Sequence, residues 1–311
     1  MKIRLGYVVL SKTLENNTSS SLMTYAHYSK LGKVRGNEKL NKIILSNFED
    51  LESILKYNIK NDISFYRMTS RLIPLFTHND VELDINLYKD YFKKIGNIIN
   101  KNKMRVDTHP DQFCVLNSVK EEVVLSSINI LNYHKIMFNL MNYDGKMIIH
   151  VGSSALGKRK SIKRFKDNFK KLNKDIQKMI LLENDDKIFN VTNTLNICEE
   201  LNIPFVFDYH HHFCNNNGQK IEFFLPRIIN TWGNNKPKMH YSSPKSKKEK
   251  RSHNDYIDPE KFIEFIERIK FLNVDVDIMI EAKMKDEALF RLIRYLKYKT
   301  DYIIDGTTII L

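Results

Sequence analysis

The feature that most constrains the fold is a regular alternation of short apolar or β-branched segments with longer segments of helical periodicity. Segments typical of strands lie at residues 3–10, 63–66, 104–106, 146–151, 179–182, 204–207, 237–239 and 274–280. After the second of them, Leu87, Tyr91, Ile95 and Ile98 recur at the spacing that places side chains on one helix face. Eight strand–helix units close a (β/α)8 barrel, so the sequence predicts an α/β protein with the TIM barrel fold.

The barrel is predicted to be a single domain that spans residues 1–300. No long segment rich in proline, glycine or serine divides the chain into two parts. An open, doubly wound sheet is the main alternative. Such a sheet usually has fewer strands, and the chain lacks a glycine-rich turn after its first strand. Residues 301–311 form a tail whose placement the sequence does not indicate.

Three local signals indicate where helices begin. Ser46 with Glu49, and Ser118 with Glu121, have the spacing of a capping box, in which the two side chains bond the first free backbone amides. We therefore expect one helix to begin at Ser46 and another at Ser118. Asp258 stands directly before a proline, which predicts that Asp258 caps a third helix.

Composition and charge narrow the class of protein. The 311 residues include 50 Lys and Arg against 37 Asp and Glu, a net charge of +13. This excess favours a polyanionic partner such as nucleic acid, with simple solubility as the alternative. The three scattered cysteines are typical of reduced thiols. The first apolar run is too short for a signal peptide, and no segment approaches the roughly 20 apolar residues of a membrane span. We expect a soluble cytoplasmic protein.

Side chains that can bind metals follow almost every predicted strand. The set comprises His78, His109, His150, Glu183, Asp208, His211, His240, His253 and Glu281. One such residue alone is more often a hydrogen-bonded core residue or a helix cap. The carboxyl ends of barrel strands converge on one face, however, and nine such residues there favour a site for more than one metal. A mixed shell of imidazoles and carboxylates suits zinc or manganese.

Eight of these nine residues, all but His78, lie in longer motifs, and two further motifs precede them in the chain. These are Leu5-Gly6-Tyr7, Tyr66-Arg67, His109-Pro110-Asp111-Gln112-Phe113, His150-Val151-Gly152, Glu183-Asn184-Asp185-Asp186, Asp208-Tyr209-His210-His211, Lys238-Met239-His240-Tyr241-Ser242, His253-Asn254-Asp255-Tyr256 and Glu281-Ala282-Lys283. In order and spacing, the set resembles the ultraviolet damage endonucleases, a DNA-repair family whose barrel is related to that of endonuclease IV.

The resemblance implies a metal-dependent endonuclease and assigns roles to the residues. It implies up to three divalent ions, most typically manganese, with zinc or magnesium as alternatives, bound by the nine residues given above. It suggests that Lys238 beside them is carboxylated. From the chemistry of phosphodiester cleavage, we expect Glu183 and Glu281 to bridge metals or orient water. The implied reaction is a nick immediately 5′ to cyclobutane pyrimidine dimers and 6-4 photoproducts, leaving a 3′-hydroxyl and a 5′-phosphate.

The resemblance also implies contacts with damaged double-stranded DNA, by a protein that we expect to act as a monomer. Gln112 and Phe113 correspond to two probing residues that enter the duplex; the second is often tyrosine in the family. Tyr7 corresponds to a residue near the lesion, and Ser11 stands where the family often has asparagine. From charge alone, we expect phosphate contacts from basic residues after the fourth strand, which are Lys158, Arg159 and Lys160. A solvated helix face is the alternative for these three.

Three other functions fit parts of the pattern. An abasic-site endonuclease would have a similar barrel and similar metals. A sugar isomerase would too, but the net charge of +13 disfavours it. A protein that binds DNA lesions without cutting them is a different class, and the complete set of metal ligands argues against it.

Overall fold

A computed structural model describes residues 1–111 and 113–311 and contains a closed parallel barrel. Its strands are β1 Lys2–Val8, β2 Phe65–Met68, β3 Arg105–Thr108, β4 Lys146–His150, β5 Ile180–Glu183, β6 Phe205–Asp208, β7 Lys238–Tyr241 and β8 Val276–Ile280. Each strand pairs in parallel with the next, and β1 closes the ring by pairing with both β2 and β8. The predicted TIM barrel is confirmed, and each strand lies within a few residues of its predicted position.

Helices surround the barrel and cover its outer surface. They are α1 Tyr25–Leu31, α2 Lys33–Lys60, α3 Lys89–Lys101, α4 Glu121–Leu140, α5 Lys158–Lys171, α6 Lys174–Met179, α7 Val191–Leu201, α8 Tyr209–Cys214, α9 Leu225–Asn230, α10 Pro259–Ile269 and α11 Lys285–Lys299. On α3, the buried stripe consists of Phe92, Ile95 and Ile99, whereas Leu87 and Tyr91, which were predicted to share a face with Ile95, are exposed. This stripe holds the helix to the barrel through burial of apolar surface.

The barrel interior is arranged in layers because alternate residues of each strand point inward. Near its amino-terminal end, Asp277 on β8 accepts hydrogen bonds from Arg4 on the neighbouring β1 and from Arg105 on β3. Apolar side chains, including those of Phe65 and Met279, pack together inside the barrel. The inward positions at the carboxyl ends of the strands are left for polar residues.

Two of the three predicted helix starts are wrong, and one is confirmed. Ser46 lies inside α2, which begins at Lys33. The fourth helix begins at Glu121 without a side-chain cap, and the Ser118 hydroxyl instead accepts the amide of Lys120 in the preceding turn. A capping-box spacing also occurs by chance inside a long helix, where packing decides the helix start. Asp258 caps α10, as predicted, by accepting two backbone amides.

The tail folds back onto the barrel as a hairpin. Its strands are β9 Ile303–Asp305 and β10 Thr308–Ile310. β10 pairs antiparallel with β1, with Lys2 opposite Ile310. The hairpin therefore extends the sheet on one side of the first barrel strand. Among the described residues, no helix is both long and apolar enough to cross a bilayer.

Candidate active site

The carboxyl ends of the strands bring eight of the nine predicted metal ligands together, with Glu183 at the centre. One carboxylate oxygen of Glu183 lies 3.2 Å from His109 Nε2 and 3.6 Å from His150 Nε2. The other lies 2.9 Å from His240 Nδ1 and 3.4 Å from His211 Nδ1. Glu183 is the last residue of β5 and is fully buried, so its carboxylate is fixed between side chains from four other elements.

Glu281 is a second carboxylate at the same face. One of its oxygens lies 3.3 Å from His240 Nδ1, and the other lies 3.8 Å from His253 Nδ1. His240 therefore stands between the two glutamates. Glu281 follows β8, and His253 belongs to the long loop after β7. Residues that are distant in sequence thus share one site, as the barrel fold requires.

Asp208 supplies a third carboxylate with an unused oxygen. Its Oδ1 accepts the backbone amide of His211 at 2.6 Å and so caps α8. Its Oδ2 is buried and has no hydrogen-bond partner in the described part of the chain. The Asn184 side chain and the Asp208 backbone exchange two hydrogen bonds, which fix the end of β6. A buried carboxylate oxygen left free among imidazoles is what a metal ligand requires.

The donor atoms form two overlapping groups that can hold a metal ion. In one, the ligand atoms of His109, His150 and Glu183 all lie within 4.8 Å of one another. The other meets the same limit and contains Glu183, Asp208, His240 and Glu281. Imidazole nitrogen and carboxylate oxygen are ligands for manganese, zinc and related divalent metals. The residues present therefore fit a metal centre that shares Glu183 between two positions.

The electrostatics of the site reflect buried carboxylates facing imidazoles. Burial acts to raise the pKa of Glu183, but His240 and His150 outweigh it and hold that pKa well below its ordinary value. Burial raises the pKa of Asp208 well above its ordinary value. Burial lowers the pKa of His150 to about 4, so this imidazole is neutral near pH 7 and its nitrogen is free to bind a metal.

Arg67 belongs to the site although the sequence pattern indicates no role for it. It lies on β2, is buried, and forms an ion pair with Glu281. Its guanidinium also lies 3.4 Å from His240 Nε2. Burial alone would raise the pKa of Glu281, yet Arg67 and His240 hold it well below its ordinary value. The sequence did contain one signal for Arg67. It is a single arginine within a strand of otherwise apolar and aromatic residues, and this pattern indicates a buried charge that needs a partner.

Replacing Arg67 with methionine should strongly destabilise the protein in the presence of a chelator. The change leaves the largely enclosed Glu281 carboxylate, with 13% of its side chain exposed, without its cationic partner. Loss of one partner of a buried pair typically costs about 3–5 kcal/mol. The control is Arg227→Met, which removes a solvent-exposed pair with Glu199 and should cost less than about 1 kcal/mol. Urea denaturation measures the free energy of unfolding of both variants relative to the wild type. Equal losses in the two variants would show that Arg67 does not compensate Glu281.

His78 is the predicted ligand that the structure does not place with the other eight. Its ring stacks on Tyr25, with 3.9 Å between the ring centroids. Its Nδ1 accepts the backbone amide of Asp80. His78 belongs to neither of the two groups of converging ligand atoms found in the described residues. A role for His78 as a metal ligand stays a prediction.

Lys238 lies one layer below the candidate ligands. It is the first residue of β7, two positions before His240, and is fully buried. Its side-chain nitrogen donates a hydrogen bond to the Asp107 carboxylate on β3. Burial, reinforced by the nearby charge of Arg105, lowers the pKa of Lys238 well below its ordinary value. The carboxylation of Lys238 stays a prediction.

The predicted lesion contacts differ widely in exposure. Phe113 is 68% exposed at the mouth of the barrel. Tyr7 is fully buried and donates to Asn58 Oδ1 at 2.7 Å. Ser11 is also buried and donates to Asp286. A direct contact between DNA and either buried hydroxyl would require this part of the site to open, and both assignments stay predictions.

Two other DNA-contact predictions have different outcomes. Gln112 lies outside the described residues. Lys158, Arg159 and Lys160 begin α5 and are all exposed, so their charges are available to a polyanion near the barrel mouth. Contact between these charges and phosphate stays a prediction.

Comparison with known proteins identifies the family. A family model described as UV-endonuclease UvdE matches residues 3–306. The chain belongs to the UV-endonuclease UvdE family. The UV DNA damage endonuclease of Bacillus cereus (strain G9842) is 43% identical over 298 residues, which cover 94% of each chain. That of Bacillus mycoides (strain KBAB4) is 41% identical over the same share of both chains. Membership makes this chain a nuclease, and it confirms the predicted resemblance.

Solved structures agree with the family assignment. The crystal structure of SacUVDE superposes with a TM-score of 0.85 at 36% identity, covering 95% of this chain and 98% of the other. Endonuclease IV from Thermus thermophilus matches with a TM-score of 0.55 at 11% identity, covering 80% of this chain and 94% of that one. The second likeness shows the shared barrel fold alone.

Proposed function

We propose that this chain is a metal-dependent DNA-repair endonuclease that nicks damaged duplex DNA immediately 5′ to cyclobutane pyrimidine dimers and 6-4 photoproducts. The nick would leave a 3′-hydroxyl and a 5′-phosphate. One observation carries the proposal: Glu183 and Glu281 meet the imidazoles of His109, His150 and His240 at one end of the barrel. Up to three divalent ions, most typically manganese, with zinc or magnesium as alternatives, would be held there.

The residues of the site have separable tasks in this proposal. Bound divalent cations would supply activation of water near neutral pH and relief of charge on the scissile phosphate. Glu183 stays ionised because the neighbouring imidazoles lower its pKa, so its two oxygens remain available as ligands. Arg67 orients Glu281 through their ion pair. Asp208 offers Oδ2 while Oδ1 anchors α8.

Affinity and lesion choice would come from residues around the mouth. The exposed cations at the start of α5, Lys158 to Lys160, supply phosphate contacts without sequence preference. The exposed ring of Phe113 replaces lost stacking where it enters the duplex. A damaged step unstacks at lower cost than an intact one, so distorted DNA is selected without reading its sequence.

Lys238 is proposed to be carboxylated. The reaction needs an uncharged amine, and the burial of Lys238 favours the neutral form. Labelling with ¹³C-bicarbonate followed by ¹³C NMR would detect the carbamate. Absence of a carbamate signal in the metal-loaded protein would remove this assignment without affecting the other residues.

A duplex that contains one cyclobutane dimer provides the test of the function. With manganese present, we expect one nick directly 5′ to the dimer, on the damaged strand, with an end that DNA polymerase can extend. The same duplex without damage should stay intact. Equal cutting of both duplexes would overturn the proposed lesion preference, and a blocked 3′ end would overturn the proposed products.

A third duplex separates the nearest alternatives. An abasic-site endonuclease would cut a duplex with one abasic site faster than the dimer duplex. A lesion-binding protein without catalysis would retain the dimer duplex in a gel shift and cut neither. We also propose that the protein acts as a monomer on cytoplasmic DNA, and light scattering of the protein–DNA complex tests the stoichiometry.

A further inference from the structure

A cavity of about 240 Å³ opens at the amino-terminal end of the barrel, on the face opposite the candidate metal centre. Basic residues at or near the beginnings of β1, β3, β4 and β7 border this cavity, and they are Arg4, Arg105, Lys146, Lys236 and Lys238. Among the described residues, Asp144 is the one acid in its wall. The cavity therefore collects positive charge at the end of the barrel that takes no part in the proposed chemistry.

The positive charges around this cavity outnumber the carboxylates that face them. Lys146 pairs with Asp144, and Lys238 bonds to Asp107. The remaining cations are Arg4, Arg105 and Lys236, and all three approach the carboxylate of Asp277. Three positive charges thus share one negative charge, which leaves an excess of two.

Asp277 is a buried carboxylate whose oxygens are already occupied. It accepts Arg4 Nε at 2.8 Å and Arg105 Nη1 at 2.7 Å, and Lys236 Nζ lies farther away, at 3.8 Å. Burial acts to raise the pKa of Asp277, but Arg4 and Arg105 outweigh it and hold that pKa below its ordinary value. Asp277 is therefore ionised near pH 7, and it has little capacity left for Lys236.

Arg105 has hydrogen-bond donors that no described residue uses. Its one acceptor in the described part of the chain is Asp277, which it contacts through Nη1, so Nε and Nη2 have no acceptor there. The guanidinium is held in place because its carbon lies 5.5 Å from the centre of the Trp232 ring. A planar guanidinium with a fixed position and free N–H groups is typical of sites that bind oxyanions.

We propose that this cavity binds a small oxyanion of the class of phosphate and bicarbonate. The anion accepts hydrogen bonds from Arg105 and pairs with Lys236, two residues that border the cavity. It offsets the repulsion among partly enclosed cations, which interact more strongly than they would in bulk water. The site lies at the end of the barrel where conserved contacts generally concern stability, and it does not depend on the proposed nuclease function.

The single tryptophan of the chain reports on this cavity. Trp232 is 3% exposed and lies against the Arg105 guanidinium, so an anion bound to Arg105 should change its fluorescence. An anion bound to the exposed cations of α5 should not. Phosphate is titrated in EDTA at a constant ionic strength set with sodium chloride. Bicarbonate is titrated at the same pH and ionic strength, which distinguishes the two oxyanions.

We expect a saturable change in fluorescence with at least one of the two oxyanions and none with chloride. Lys236→Met should weaken the binding about tenfold or more, because the anion loses a bond to a charged group. The fold should persist, since Arg4 and Arg105 still pair with Asp277. Lys261→Met, which removes one charge from an exposed position on α10, is the matched control and should bind as the wild type does.

Two results of the titration would overturn the proposal. One is the absence of a saturable change with either oxyanion. The other is equal affinity in Lys236→Met and the wild type. Lys158→Met, at the start of α5, should keep the full response, and loss of the response in that variant would place the anion at the barrel mouth and contradict the assignment.

Thermal melting provides an independent measurement. The oxyanion should raise the melting temperature of the wild type more than that of Lys236→Met, because a ligand that binds only the folded state stabilises it in proportion to its occupancy. Lys261→Met should show the same rise as the wild type. An equal rise in the wild type and Lys236→Met would show that the anion acts elsewhere on this basic protein, and the proposal would fail.

Discussion

Replacing Glu183 with glutamine should lower the rate of nicking by more than about 100-fold. Loss of an outer-shell partner of a metal ligand typically costs about 10–100-fold, and Glu183 is central to both groups of converging ligand atoms. Glutamine keeps the size of the side chain but removes the charge opposite four imidazoles. The measurement is the single-turnover rate on a duplex with one cyclobutane dimer in the presence of manganese.

A surface glutamate provides the matched control for Glu183→Gln. Glu199 is solvent-exposed and paired with Arg227 on the outside of the barrel, so Glu199→Gln should nick at the wild-type rate. Circular dichroism should show the same fold in both variants. Wild-type activity in folded Glu183→Gln would refute the assignment of Glu183 to the metal centre, and with it the proposed arrangement of the site.

Removal of divalent metals should abolish nicking, and manganese should restore it. The buried carboxylates of Glu183, Asp208 and Glu281 offer oxygens that face imidazole nitrogens, and the described side chains leave Asp208 Oδ2 without a partner. Binding should also raise the melting temperature, because a ligand at 100 times its Kd stabilises the folded state by about 2.7 kcal/mol. Nicking after dialysis against EDTA, and melting curves with and without manganese, measure the two effects.

The Glu183→Gln variant links the nicking measurement to the melting-temperature measurement. Its melting temperature should rise less on addition of manganese than that of the wild type, because a shared ligand has lost its charge. The same two measurements with zinc and with magnesium show which of the three metals best supports nicking and stability. Full nicking by protein that elemental analysis shows to be free of metal would contradict the metal dependence.

The sequence predicts the barrel well because each strand is a compact apolar run followed by a helical period. It predicts α8 poorly. The run His210-His211-His212 has no apolar stripe, and its helix depends on Asp208, whose carboxylate caps it from the end of β6. The start of α2 at Lys33 is also not predicted, because polar and charged residues dominate its first turns and packing against α1 holds them in place.

The candidate site is predictable where it depends on strand ends and unpredictable where it depends on loops and on residue types outside the metal chemistry. Glu183, Asp208 and His240 end strands or lie near their ends, so the topology fixes their convergence. His78 lies in a long segment after β2, and no pattern fixes the direction of its ring. Arg67 lies in one of the motifs, but its role is not predicted because arginine is not a metal ligand and its contribution is to balance the charge of Glu281.

The hairpin of β9 and β10 covers an edge of the first barrel strand that would otherwise be open. β2 pairs with β1 only at Tyr7 and Val8, which leaves Lys2–Arg4 without a neighbour on that side. β10 fills this place, so the backbone groups of β1 cannot recruit a strand from another chain. The outermost strand is then β9, which has three residues and ends in Asp305. Protection against aggregation through an open sheet edge therefore depends on a short segment that takes no part in the proposed chemistry.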